Sequence, residues 1–62
     1  MKPGDLGMLR GSNTYFIVVD RFMRSTPVGE DTPCLTVIIN GILNELPEFL
    51  LIQHAEVIDE AG

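Results

Sequence analysis

The sequence predicts an all-β fold of five strands with one short helical turn before the last. Three stretches predict it: a β-branched run meeting Asn-Gly at residues 35–43, the aromatic and β-branched Tyr15-Phe16-Ile17-Val18-Val19, and Pro47-Glu48 ahead of an apolar turn. Asn-Gly accepts positive φ at both central positions of a type I′ turn, so apolar runs on either side of it read as a hairpin. β-branched and aromatic side chains fit a pleated, half-buried surface better than a helix.

In chain order, Pro3-Gly4 is a turn signal, Pro setting φ at one position and Gly supplying positive φ at the next. Asp5 then opens the first strand, with Leu6 and Met8 expected on its inner face, and Gly11-Ser12-Asn13 ends it. Thr14 to Met23 reads as the second strand. Both faces of its first half are apolar, which suits a strand that bends around a closed barrel and changes which side meets the core. Ser25 to Pro33 is rich in Pro, Gly, Ser, Thr and acid and reads as a surface loop, Thr32-Pro33 favouring an extended approach to the next strand.

With Asn40 and Gly41 as the hairpin loop, Ile39 faces Ile42, Ile38 faces Leu43, Val37 faces Asn44, Thr36 faces Glu45 and Leu35 faces Leu46. The side carrying Leu35, Val37, Ile39, Ile42 and Leu46 is the better core face; Thr36, Ile38, Leu43 and Glu45 occupy the other. Pro47 and Glu48 suit the first positions of a helical turn, where proline's missing N–H costs nothing and a carboxylate meets the positive end. Residues 49–53 complete that turn and residues 55–59 read as a closing strand. A competing arrangement takes Asn44 as an N-cap and runs a helix from Glu45 to Glu60, since Leu46, Phe49, Leu50, Gln53 and Val57 recur at helical spacing. Val57-Ile58 and the weak helix formers around them favour the strand.

The 62 residues read as a single domain. At this size a folded chain hides only about 60% of the surface that its unfolded form exposes. Small domains make up the deficit with disulfides, a metal or a partner. The single Cys34 excludes an internal disulfide, and one His with one Cys is too few for a four-ligand zinc site. No cofactor is expected, and contacts with a protein partner or a second copy remain. The mean hydropathy of +0.23 is high for so small a chain, yet no apolar run approaches the 18 or so residues of a membrane span. A lone thiol and an N-terminus without a long apolar core fit a reducing, cytoplasmic setting.

The net charge of −5 is unevenly placed: Lys2, Arg10, Arg21 and Arg24 are the only cations, and from Ser25 onward every charged side chain is acidic. Such a surface repels a phosphate backbone, which disfavours general nucleic-acid binding.

Five strands, a short turn after the first, a longer loop after the second, a tight hairpin and one helical turn before the last strand: this order resembles the SH3-like small β-barrel. Lys2-Pro3-Gly4-Asp5-Leu6 is similar to the opening of many such barrels, KOW-type modules included. Ile17-Val18-Val19 and His54-Ala55-Glu56-Val57-Ile58 resemble segments of the small SH3-like proteins of tailed bacteriophages, notably marine cyanophages. The resemblance implies a phage-encoded binding or structural module, in the host cytoplasm or the virion, with no residue assigned to chemistry. Unlike peptide-binding SH3 domains, the chain has no Trp and no paired-aromatic groove signature, and it lacks the basic surface of a KOW-type RNA binder.

Among single residues, His54 is the only histidine and fits the end of the helical turn. Cys34 opens a β-rich strand as a packed thiol, and the acidic pairs Glu30-Asp31 and Asp59-Glu60 lack the oxygen-ligand spacing of a calcium loop. No phosphate loop, nucleophile elbow or paired catalytic set is present, so an enzyme is not expected. Arg10, Arg21 and Arg24 form a candidate basic patch if the first two strands bring them together. Phe49-Leu50-Leu51-Ile52 spreads four large apolar residues around one turn, and they cannot all face one core. Tyr15, Ile38, Leu43 and Leu51 are therefore the candidates for an exposed interface; the bland alternative is a barrel that buries nearly all of them. Three functions follow: a non-catalytic interaction or structural module, a small acidic adaptor or inhibitor of a host enzyme, or a KOW-like nucleic-acid module.

Overall fold

The computed structural model describes residues 1–60. The chain forms β1 (Leu6–Leu9), β2 (Tyr15–Ser25), β3 (Asp31–Ile39), β4 (Ile42–Pro47), α1 (Glu48–His54) and β5 (Ala55–Asp59). All strand pairings are antiparallel, in one open sheet of order β4-β3-β2-β1-β5. The hairpin register matches the one read from Asn-Gly at every pair, and Asn40 and Gly41 take φ of 52° and 78°, the left-handed values that such a loop needs. At the chain start, Asp5 N–H donates to the Lys2 carbonyl at 3.1 Å, and Gly4 takes φ of 93°, closing the expected Pro-Gly turn.

The long C-terminal helix does not form. Pro47 occupies the N-cap, and the helix ends at His54 as Ala55 turns extended. The backbone just past β1 supplies the stop: Arg10 N–H donates to the His54 carbonyl at 2.8 Å, taking a helix-terminal acceptor into the sheet.

The expected loop over residues 25–33 is shorter than its composition suggests. β2 and β3 stay paired to Ser25 and Asp31, leaving a turn held by the Thr26 N–H to Glu30 carbonyl bond at 2.9 Å. Pro33 lies inside β3, opposite Met23. β4 stops at Pro47 opposite Cys34, so β3 is locally an edge at Pro33, where a missing N–H is tolerated.

Phe16, Val18, Leu35, Val37, Leu51 and Ala55 form the core, with Met1, Leu9, Ile39 and Leu46 packed against them. Three expectations of facing are corrected. Leu6 and Met8 lie on the outer face, paired with exposed Ile17 and Tyr15; Gly7 is buried between them. The ring of Phe16 causes this: a Cβ on Gly7 would sit 2.7 and 2.8 Å from Phe16 Cε1 and Cε2 and nearer still to Cζ. Ile42 shares the core face by register but lies beside the hairpin loop and is 65% exposed. Leu51, expected at an interface, is 2% exposed.

β2 contains a bulge. Val18 pairs with Val37 and Asp20 with Thr36, so Val19 is the extra residue. Before it, Phe16 and Val18 point inward; after it, Arg21 shares a side with Leu35. The change of face expected of a bending strand is thus made at one inserted residue, which turns β2 from apolar inward positions to an arginine.

Candidate functional site

The outer face of the sheet is built from strand registers alone. Directly opposed residues project to the same side. Leu6 faces Ile17, Ile17 faces Ile38 and Ile38 faces Leu43, which sets one apolar row across β1, β2, β3 and β4. Met8 and Tyr15 form a second, shorter row beside it. Tyr15 is 52%, Ile38 36% and Leu43 63% exposed, and Ile17 is exposed with them. Three of the four expected interface residues therefore share one surface. Leu51 is instead a core residue of α1, while its neighbours Phe49, Leu50 and Ile52 are exposed.

Reasoning from sequence missed Leu6, Met8 and Ile17 as members of this surface. Ile17 was findable in principle, because it stands opposite Ile38 once the β2–β3 register is known. That register depends on the bulge at Val19, which no residue type signals.

Charge surrounds the apolar rows. Glu56 stands opposite Met8, and Asp59 opposite Leu6, both exposed on the same side. On the flank toward the distal end of β2, the next row is Asp20, Thr36 and Glu45. Arg24, which the register puts on this face, is turned to Glu45 at 3.6 Å and lies 5.7 Å over the ring of Phe22.

The candidate basic patch does not assemble. β1 pairs only with residues 15–17 of β2, so Arg10 lies near the start of that strand. Arg21 is about seven residues further along, on the order of 20 Å at 3.3 Å per residue. Arg21 and Arg24 also fall on opposite sides of β2, and each is engaged by a carboxylate.

Arg21 belongs to a second polar cluster at Glu48. The Met1 ammonium donates to Glu48 Oε2 at 3.2 Å, and Arg21 Nε donates to the same oxygen at 3.1 Å. The Arg21 hydrogen bond holds the Glu48 carboxyl below its ordinary range; partial burial opposes this, and the Met1 ammonium adds to it. This cluster ties the chain start and β2 to the first turn of α1.

Cys34 is buried on the outer side of β3, between Phe22 and Pro47 in the register, with its thiol 3.6 Å from the Thr32 carbonyl. His54 is exposed and enters the structure through its carbonyl. Among the described residues no three His, Cys, Asp or Glu side chains gather in a metal-binding group, and no helix is long and apolar enough to cross a membrane. Compared with known proteins, the chain matches no family model, no curated protein and no solved structure.

Proposed function

We propose that the chain is a small SH3-like barrel of the kind tailed phages encode, acting as a non-catalytic protein-interaction or structural module in the host cytoplasm or the virion. The strand order and the short helix ahead of β5 support the fold assignment. One observation carries the functional reading: the row Leu6, Ile17, Ile38 and Leu43 is not needed to complete the core, which closes on the other side of the sheet. Apolar groups left in water lose roughly 25 cal/mol per Å² relative to burial, so a row in which Ile17, Ile38 and Leu43 are exposed beside a half-buried Leu6 fits a surface covered in use.

The experiment is affinity capture on the immobilised chain from phage-infected host lysate, with mass spectrometry, alongside light scattering of the free protein. The reading expects a saturable protein partner lost in Ile38→Asp, a substitution at an exposed position that leaves the core intact. Absence of any such partner, together with a strict monomer, overturns it. Virion proteins as the captured partner select a structural role. A host enzyme selects the acidic adaptor or inhibitor, which the carboxylates of β5 favour.

A further inference from the structure

We propose that the outer sheet face is the docking surface for a cationic amphipathic helix of a partner protein, about three turns long, with Lys or Arg flanking an apolar stripe. This deepens the interaction reading above and rests on it. Four observations lead to it.

The first is shape. Leu6, Ile17, Ile38 and Leu43 form one continuous row across adjacent strands. At about 4.8 Å between strands the row is roughly 14 Å long, which an α-helix spans with about ten residues at 1.5 Å each. Apolar side chains at i, i+3, i+4 and i+7 place one stripe along that row.

The second is the sign of the rim. Glu56 and Asp59 lie beside Met8 and Leu6, and Asp20 lies on the flank of the row toward the distal end of β2. Of the cations on this side, Arg24 is engaged by Glu45, and Arg10, which continues the ladder opposite His54, borders only the short Met8–Tyr15 row and not the row that begins at Leu6. An apolar centre bordered by Glu56, Asp59 and Asp20, which enter no ion pair among the described residues, complements a stripe bordered by ammonium or guanidinium groups, and such complementarity sets both specificity and encounter rate.

The third concerns a second copy. In a two-fold contact through this face the same patch meets itself, bringing the carboxylates of one chain toward those of the other. The net charge of −5 opposes approach at longer range. The electrostatics that attract a basic helix therefore disfavour self-association.

The fourth is local order. The face rests on paired backbone over β1 to β4, with Phe16 and Val18 buried directly behind it. A rigid platform loses little conformational freedom when an occupant docks.

The test is an NMR titration of the isotope-labelled chain with a synthetic 18-residue helical peptide of Leu and Lys. Leu is placed at i, i+3, i+4 and i+7, and a scrambled peptide of the same composition serves as comparison. Expected are shift changes centred on Leu6, Ile17, Ile38 and Leu43, with at least tenfold weaker binding by the scrambled peptide. Ile17→Thr with Ile38→Thr weakens binding at least tenfold, and Glu56→Gln with Asp59→Asn weakens it and flattens its salt dependence. Phe49→Ser, on the exposed side of α1, leaves binding unchanged. Retained cooperative unfolding of each variant shows that a loss of binding is not a loss of fold.

Equal binding of both peptides, shift changes confined to α1, or concentration-dependent shifts at Ile17 and Ile38 without peptide each overturn the proposal, the last by assigning the face to a second copy. If peptide binding fails while a captured protein still depends on Ile38, the basic helix is wrong and the interaction reading stands. If both fail, both fall.

Discussion

Replacing Gly7 by alanine tests the packing on which the sheet's two faces depend. An alanine Cβ there falls 2.7 Å from Phe16 Cε1 and 2.8 Å from Cε2, with Cζ nearer still, where neighbouring atoms must give way. Phe16 has nowhere easy to go, since it is buried among Val18, Leu35, Val37 and Leu51. Overpacking of this kind costs about 1–3 kcal/mol, against a total stability of about 3–9 kcal/mol for a chain of this length. Near the 60-residue end of the size range each kcal/mol moves Tm by roughly 8 °C, so a fall of about 8–24 °C is expected. The assay is thermal and urea unfolding of wild type, Gly7→Ala, Phe16→Leu and the double variant. Phe16→Leu is itself destabilising because it removes buried ring carbons, but it opens the space that the new methyl requires. The double variant should therefore be more stable than the two costs summed, by on the order of 1 kcal/mol. A Gly7→Ala protein melting within about 2 °C of wild type, or two costs that simply add, would refute the account of why Gly7 faces inward.

Further predictions concern the hairpin, the helix and the Glu48 cluster. Gly41→Ala should lose about 1–2 kcal/mol by urea unfolding, because φ of 78° is costly for any residue with a Cβ although the space around it is open. Leu51→Ala should cost about 2–5 kcal/mol as a core deletion, whereas Ile52→Ala on the same turn should stay within about 0.5 kcal/mol; equal costs would contradict the burial of Leu51 alone. Glu48 has a folded pKa below its ordinary 4.5, so its stabilisation is fully present above that value and is lost as pH falls through the lower folded value. Urea midpoints followed downward from pH 6 should therefore decline less in Glu48→Gln than in wild type. Parallel declines would show that the bonds to Arg21 and the Met1 ammonium contribute nothing.

Local chemistry made several elements legible before any tertiary contact was known. The Asn40-Gly41 loop set the whole β3–β4 register, because positive φ at two successive residues is rare and a two-residue loop leaves one pairing. Pro47-Glu48 marked where the helix begins, and residues 55–59 read correctly as a strand. The candidate surface was legible only in part. Ile38 and Leu43 followed from the hairpin register, which sets them on the side away from Leu35 and Val37; Tyr15 had no such support, since both faces of its segment are apolar, and the helical Leu51 was misplaced because four consecutive apolar residues give no indication of which one faces the core.

The set of strands, the tight hairpin and the uneven charge follow from residue types alone, since each rests on backbone preferences or composition acting over a few residues. Which side of β1 is inside, where β2 changes face and which acidic residues border the apolar row were decided only in three dimensions. The ring of Phe16 claimed the space over Gly7 and turned Leu6 and Met8 outward, against their own alternation. The bulge at Val19 brought Ile17 opposite Ile38 while setting the exposed Arg21 on the same side of the sheet as Leu35, and β5 carried Glu56 and Asp59 alongside Met8 and Leu6. These outcomes depend on contacts between residues distant in the chain, and an alternating pattern read within one strand carries no information about what lies across from it.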